Sequence, residues 1–179
     1  MIVEIEEFSL RNIIPQFREF NRAVKNNRAR LEPYFWWPDV GAVSRLRFIM
    51  SGILAEKFTR IFHDLPYNKK FIIRANGKFA GAVGLDNVAP NAYRSELWIF
   101  VTQDYAGKHI ASNAVKLIEK FATDKSVKNI YAMVDQKNLN SQHMLAANDY
   151  KFEQKILNLW RNSWEMRWNK QIVTKSIEK

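Results

Sequence analysis

Residues 94–111 read Arg94-Ser95-Glu96-Leu97-Trp98-Ile99-Phe100-Val101-Thr102-Gln103-Asp104-Tyr105-Ala106-Gly107-Lys108-His109-Ile110-Ala111. Ser95 to Val101 is a short run dominated by apolar residues, the texture of a strand. From about Gly107 to Thr123 the apolar positions take helical spacing, with Ile110, Ala114, Leu117, Ile118 and Phe121 turned inward. A strand therefore hands over to a helix across a glycine. Such a glycine lets backbone N–H groups approach an anion, and the exposed donors and dipole of a helix start favour negative charge. Taken alone, a Gly-Lys pair at a helix start is more often a helix cap than a phosphate site.

Working outward, Phe71 to Ala75 and Lys78 to Leu85 flank Asn76-Gly77, the strongest short hairpin signal, which predicts two antiparallel strands. Further upstream, Ile2 to Glu6 alternates like a half-buried strand. Leu10 to Asn27 reads as a helix on Ile13, Ile14, Phe17, Phe20 and Val24, with Ser9 or Asn12 as its cap and Pro15 in its first turn. A short helix is expected from Arg28 to Phe35. After Pro38 and Gly41 a long helix follows, with Val43, Leu46, Met50, Ile53, Leu54, Phe58, Ile61 and Phe62 on one face. Downstream, Ile130 to Val134 has the continuous apolar character of a strand buried on both faces. A helix from Asn140 to Asn148 leads into a closing hairpin, Tyr150–Leu159 and Trp164–Trp168, turned by Arg161-Asn162-Ser163. This order predicts an α+β fold with one core over residues 1–170 and a polar tail over 171–179.

Composition narrows the function. The 179 residues are 47% hydrophobic and 13% aromatic, too apolar for a disordered chain. There is no cysteine, which excludes disulfides, thiolate metal sites and a thiol nucleophile. No run approaches the roughly 18 apolar residues of a membrane span, and the acidic start is unlike a signal peptide, so a cytoplasmic protein without a membrane partner is expected. Lysine and arginine number 28 against 18 acids, a net charge of +10 that favours anionic partners. Those charges are spread along the chain, without the concentrated footprint of a sequence-specific nucleic-acid reader. His63, His109 and His143 lie at no ligand spacing, so no metal is expected, and no G-x-S-x-G elbow supports a hydrolase.

The element order, with three local motifs, resembles the GNAT superfamily of acyl-CoA-dependent N-acyltransferases, most closely its RimL-like branch that acetylates ribosomal-protein N-termini. Val101 to Ala111 resembles the acyl-CoA pyrophosphate loop, Q/R-x-x-G-x-G/A, keeping Gly107 but carrying Asp104 and His109 at the other two positions. Asn138-Leu139-Asn140-Ser141, Met144-Leu145 and Asp149-Tyr150-Lys151-Phe152 are similar to N-x-x-S-x-x-(V)L-x-x-x-G-F, with Asp149 in place of the family glycine. Arg94 to Ile99 resembles the A-E-I-G-Y-W strand, with Glu96 kept. Asn27 to Pro38 resembles the acceptor-side segment ending in W-P, which makes Trp36 and Trp37 candidate substrate contacts or, alternatively, core anchors.

The resemblance implies a mixed, mostly antiparallel sheet flanked by helices, with acetyl-CoA as co-substrate and no metal. It implies cofactor contacts at Trp98, Ile99, Phe100, Val101, Ala106, Gly107, Lys108, His109, Ile110, Ala111 and Asn138. Acyl transfer needs a neutral amine, yet an α-amine with pKa about 7.7–8.0 is mostly protonated at neutral pH, so a base is required. The resemblance assigns that role to Glu96, and the alternative for Glu96 is an ion-pair partner. The developing oxyanion would meet a backbone N–H near Trp98 to Phe100. Ser141 inherits the acid role, because Leu145 stands where most of the family has tyrosine; the alternative for Ser141 is a helix cap. Trp160 stands where RimL-like enzymes carry a second candidate carboxylate. The acceptor implied is a protein N-terminal α-amine, with a small-molecule amine or antibiotic, or an inactive nucleic-acid- or ribosome-binding module, as alternatives. A monomer or homodimer is expected.

Overall fold

The hairpin at Asn76-Gly77 organises the sheet. Both turn residues have positive φ, 48° and 75°, the conformation that lets β2 (Tyr67–Ala75) and β3 (Lys78–Val88) pair with Ala75 opposite Lys78. The computed structural model describes residues 1–35, 40–59, 66–88, 94–159 and 161–172. Among them, β1 (Val3–Glu7) precedes α1 (Ile13–Asn26), α2 (Arg28–Leu31) and α3 (Ala42–Thr59), and the hairpin is followed by β4 (Ser95–Val101) and α4 (Ile110–Asp124). β5 (Asn129–Asp135), α5 (Leu139–Ala146), β6 (Lys151–Asn158) and β7 (Ser163–Gln171) complete the order. The strands form one sheet, β1-β2-β3-β4-β5-β7-β6, in which β4 and β5 run parallel and all other neighbours antiparallel.

Alternation along the central strands gives the sheet two apolar faces. On one, Ile73, Val83, Leu85 and Leu97 pack against Ile110, Val115 and Ile118 of α4. On the other, Ile72, Ala82 and Phe100 pack against Phe20 and Val24 of α1 and Ile49 of α3. Phe20 is the pivot of this second face, edge-on to Phe8 and Phe100 with ring centres 6.0 Å from each.

Several local expectations are corrected. Neither Ser9 nor Asn12 caps α1 through its side chain. Gln16 takes that place, its Oε1 accepting from the Ser9 N–H while its Nε2 donates to Glu6 Oε1 and the Glu7 carbonyl. The second helix stops at Leu31 and the fifth at Ala146. The most buried residues of α3 are Arg45, Ile49 and Gly52; of the expected row, Ile53 packs against the core and Leu46 and Met50 are half-buried, while Val43 and Leu54 are exposed. Gly52 fixes that rotation, because a Cβ there would lie 2.6 Å from the Asn68 carbonyl oxygen, so only this face can approach β2 so closely. Phe62 and Ile61 lie outside the described residues. β5 is buried on one face only, through Ile130, Ala132 and Val134, since Met133 and Asp135 on the other turn to an open cleft. β7 runs to Gln171, and Ile172 is buried with its N–H on the Lys128 carbonyl, so these two residues belong to the sheet, not to a tail. Residues 173–179 lie outside the described residues.

Candidate active site

β4 and β5 pair only at Ser95–Ile130 and Glu96–Tyr131, and beyond these residues the two strands separate. Their parted ends leave a cleft of about 500 Å³, walled by Glu96 to Ile99 on one side and Ala132 to Asp135 on the other. α5 closes one end with Asn138, Ser141, Met144 and Leu145, and Tyr34, Phe35 and Phe48 come in from the helical layer. The connection into α5 is locked locally. Asp135 Oδ1 accepts from the Lys137 N–H at 2.8 Å, and Gln142 Nε2 donates to the Asp135 and Gln136 carbonyls. Asn138 is the helix cap, its Oδ1 accepting from the Ser141 N–H at 3.2 Å. The cap reading of Ser141 is thereby corrected, since the capping side chain is Asn138. After α5, Asp149 holds φ 66° where the resemblance has a glycine.

Glu96 sits half-buried at the point where the strands part. Tyr131, its neighbour across the parallel pair, donates its hydroxyl to Glu96 Oε2 at 2.9 Å. Burial pushes the Glu96 carboxyl above the usual carboxylate range; the Tyr131 hydrogen bond and Arg167 oppose this, while Asp86 and Glu165 add to it. The Tyr131 phenol is itself pushed up to about 12, by burial first and then by the Glu96 charge, so it stays a donor. Two guanidiniums lie over its ring, Arg94 at 5.8 Å and Arg167 at 5.5 Å from the centroid. Arg94 in turn reaches Glu153 at 3.2 Å. Asp86 stands directly opposite Glu96 in the β3–β4 register and also lines the cleft. Neither Tyr131 nor Asp86 is singled out by the sequence.

The cleft thus brings together Glu96, Trp98, Ile99, Asn138 and Ser141 of the residues expected from the sequence. Ala106, Gly107, Lys108 and His109 form an exposed turn ahead of α4 and do not line it. This corrects the helix start. Gly107 (φ 71°) and His109 (φ 58°) are both left-handed, so α4 begins at Ile110, three residues late. Lys108 Nζ folds back onto the Asp104 carbonyl at 2.7 Å. Phe100 and Ile110 are core side chains, Phe100 buried against Phe20 and Ile110 among the sheet residues that face α4, so only their backbone can face a ligand. Ala111 is half-buried on α4. The Val101 carbonyl accepts from Arg30, which also donates to Gln103 Oε1 at 2.9 Å, and the Gln103 N–H donates to Asn27 Oδ1. These bonds fasten α2 to the end of β4. Trp36, Trp37, Trp160 and His63 lie outside the described residues.

The electrostatics of the cleft oppose those of the chain. Its charged lining among the described residues is Asp86, Glu96, Asp135 and Glu165 against Arg161, in a protein of net charge +10. Among the described residues no group of three or more His, Asp or Glu side chains is placed to hold a metal ion. No described helix is long and apolar enough to cross a membrane.

The acetyltransferase (GNAT) family description matches residues 26–150 of this chain, which span α2, α3, β2 to β5, α4 and α5. Spermidine N(1)-acetyltransferase of Escherichia coli K12 is 25% identical over 105 residues, 58% of this chain and 56% of that protein, so the match spans little more than half of the curated relative. Among solved structures, the RimL ribosomal L7/L12 α-N-protein acetyltransferase in complex with coenzyme A superimposes with TM-score 0.79 at 14% identity, covering 95% of this chain and 94% of that one. Spermidine N-acetyltransferase from Vibrio cholerae, in complex with CoA and spermine, gives TM-score 0.70 at 17% identity and 95% coverage of both chains. The seven-stranded sheet and its flanking helices have the GNAT fold. With the parted β4–β5 pair and the motif residues around it falling inside the matched segment, the chain belongs to the GNAT family of acetyltransferases.

Proposed function

We propose that this protein transfers the acetyl group of acetyl-CoA to a cationic primary amine bound in the β4–β5 cleft. The observation that carries the reading is Glu96: a half-buried carboxylate, oriented by Tyr131, where the two parallel strands part. Acetyl-CoA supplies an activated acyl group. Glu96 takes the ammonium proton, directly or through water, and frees the nitrogen lone pair. Its raised proton affinity brings it nearer the working pH, which makes it a better match to an amine than an ordinary surface carboxylate. Tyr131 keeps one oxygen occupied, leaving the other for the acceptor. Ser141, released from capping by Asn138, serves as the proton donor to the departing sulfur.

The residues present suit the nucleotide co-substrate. Beyond Glu96, β4 has no strand partner on its β5 side among the described residues, so its backbone groups there are open to an extended polar chain. The turn at 106–109 presents a helix start whose first N–H groups lack intrahelical partners, and a Cβ on Gly107 would meet no described atom within 4 Å beyond its chain neighbours. Ala106 to Ala111 would hold the diphosphate there, while Trp98 and Ile99 flank the acyl end.

Four carboxylates against one guanidinium favour an acceptor with more than one positive charge, and the similarity to a spermidine acetyltransferase points the same way. We therefore place a polyamine ahead of the protein N-terminal α-amine that the sequence resemblance implies. A ligand that binds only the folded state stabilises it by mass action. At a hundred times its Kd, acetyl-CoA should add about 2.7 kcal/mol, a melting shift of roughly 5–11 °C for a chain of this size. Differential scanning fluorimetry with millimolar acetyl-CoA checks this, and an unmoved midpoint contradicts the co-substrate assignment.

A further inference from the structure

Behind Glu96, on the same face of the sheet, lies a buried charge that the chemistry above does not use. Lys70 on β2 is 3% exposed, and its ammonium makes no hydrogen bond among the described residues. It sits over the Phe48 ring of α3, 4.4 Å from the centroid. Lys70 pairs with Gly84 in the β2–β3 register, which puts Asp86, two residues on, diagonal to it on the same face. Asp86 in turn stands directly opposite Glu96. One oxygen of Asp86, Oδ1, is buried and accepts no hydrogen bond among the described residues. The three side chains therefore run as cation, carboxylate, carboxylate across β2, β3 and β4, ending at the cleft.

Two carboxylates facing each other across a strand pair, partly out of water, make ionisation of either one harder. A buried ammonium on the far side offsets one of the two charges. We propose that Lys70 and Asp86 are positioning residues for Glu96, a charge relay through the sheet that sets the pH at which Glu96 can accept a proton. This rests on the reading of Glu96 as the base.

The directions of the charge effects agree with that arrangement. Burial pushes the Asp86 carboxyl up, with Lys70 pulling it down and the nearby Trp98 indole assisting. Burial brings the Lys70 ammonium down to about 8, and Asp86 opposes that. Asp86 holds the Glu96 carboxyl up. Among the described residues, the other charged or titratable groups acting on Glu96 are Tyr131 on β5 and Glu165 and Arg167 on β7, with Tyr34, Asp135 and Arg161 elsewhere in the cleft lining; Trp98 and Phe48 beside Asp86 and Lys70 carry no charge.

The signs separate the relay from simple packing. Asp86→Asn removes a negative charge facing Glu96, so Glu96 should release its proton at lower pH. Lys70→Met removes a positive charge behind the carboxylate pair, so the pair should hold a proton to higher pH. The double variant Lys70→Met/Asp86→Asn should return towards the wild type, while Lys70→Arg should keep the wild-type midpoint. The experiment is a carbon-13 carboxyl titration of Glu96 in the full chain, with its resonance assigned through Glu96→Gln, beside the pH profile of kcat/KM. The acidic limb of that profile should move with the carboxyl, down for Asp86→Asn and up for Lys70→Met. The titration reads Glu96 whether or not the protein turns over, so absent acetyl transfer would refute the proposed reaction while leaving the relay separately measured. If Lys70→Met does not fold, Asp86→Asn alone decides. A Glu96 midpoint that stays put in Asp86→Asn, or moves the same way in both single variants, overturns the relay.

Discussion

Replacing Glu96 by glutamine is expected to slow acetyl transfer by about 10²–10⁴-fold, the usual cost of losing a general base. The amide keeps the size of the carboxylate and an oxygen for the Tyr131 hydroxyl, which lies 2.9 Å from Glu96 Oε2. Proton acceptance is lost, together with one of the negative charges that line the cleft. Affinity for acetyl-CoA should remain near wild type, and the loss should appear in turnover and in the KM of a polycationic acceptor. Raising the pH should partly restore the variant, because a free amine then no longer needs the base. The wild type also loses turnover towards acid, but for a different reason. Burial raises the Glu96 carboxyl, so turnover should fall as the pH drops towards that raised value and Glu96 takes up a proton. Ser141→Ala should also slow turnover, but without rescue at high pH. Initial rates across pH 6–9 check both, and wild-type turnover by Glu96→Gln throughout that range would place the base elsewhere.

Phe20→Ala should remove about 3–5 kcal/mol of folding stability. Phe20 is fully buried, and its ring is edge-on to both Phe8 and Phe100, so truncation leaves a cavity between α1 and the strand that carries Glu96. A domain of this kind holds only about 5–15 kcal/mol in total. The melting temperature should fall by roughly 6–20 °C. Leu159→Ala is the contrast, since Leu159 is 80% exposed and its truncation should stay within about 0.5 kcal/mol. Urea unfolding of the two variants makes the comparison, and equal costs would contradict the assignment of the second core.

The elements legible in the sequence are those with local causes. Asn76-Gly77 supplies its own turn, and the strand from Ser95 to Val101 is found at both predicted ends. The family motif residues Glu96, Asn138 and Ser141 converge on one cleft, as the order of elements implies. What stayed hidden depends on neighbours distant in sequence. The rotation of α3 follows from the close approach of Gly52 to Asn68, which apolar periodicity cannot show. His109 adopts a left-handed conformation without being glycine, so the start of α4 reads three residues early. The insertion of β7 between β5 and β6 is a matter of sheet order, invisible in a hairpin signal. Tyr131 and Asp86 meet Glu96 only through a parallel crossover and the β3–β4 register. The polar ring of Tyr131 inside an apolar run was the one trace of it in the sequence.

The central claim is that this cleft acetylates a cationic primary amine from acetyl-CoA, and the most direct measurement is amine-dependent release of free CoA thiol by the purified full chain. Spermidine and a short peptide with a free N-terminal α-amine should be run side by side, with a tertiary amine as the blank. The expected result is thiol release with a primary amine but not with the tertiary amine, the polyamine turning over at the lower KM because its several charges meet Asp86, Glu96, Asp135 and Glu165. Absence of amine-dependent thiol release with every primary amine across pH 6–9 would contradict the account.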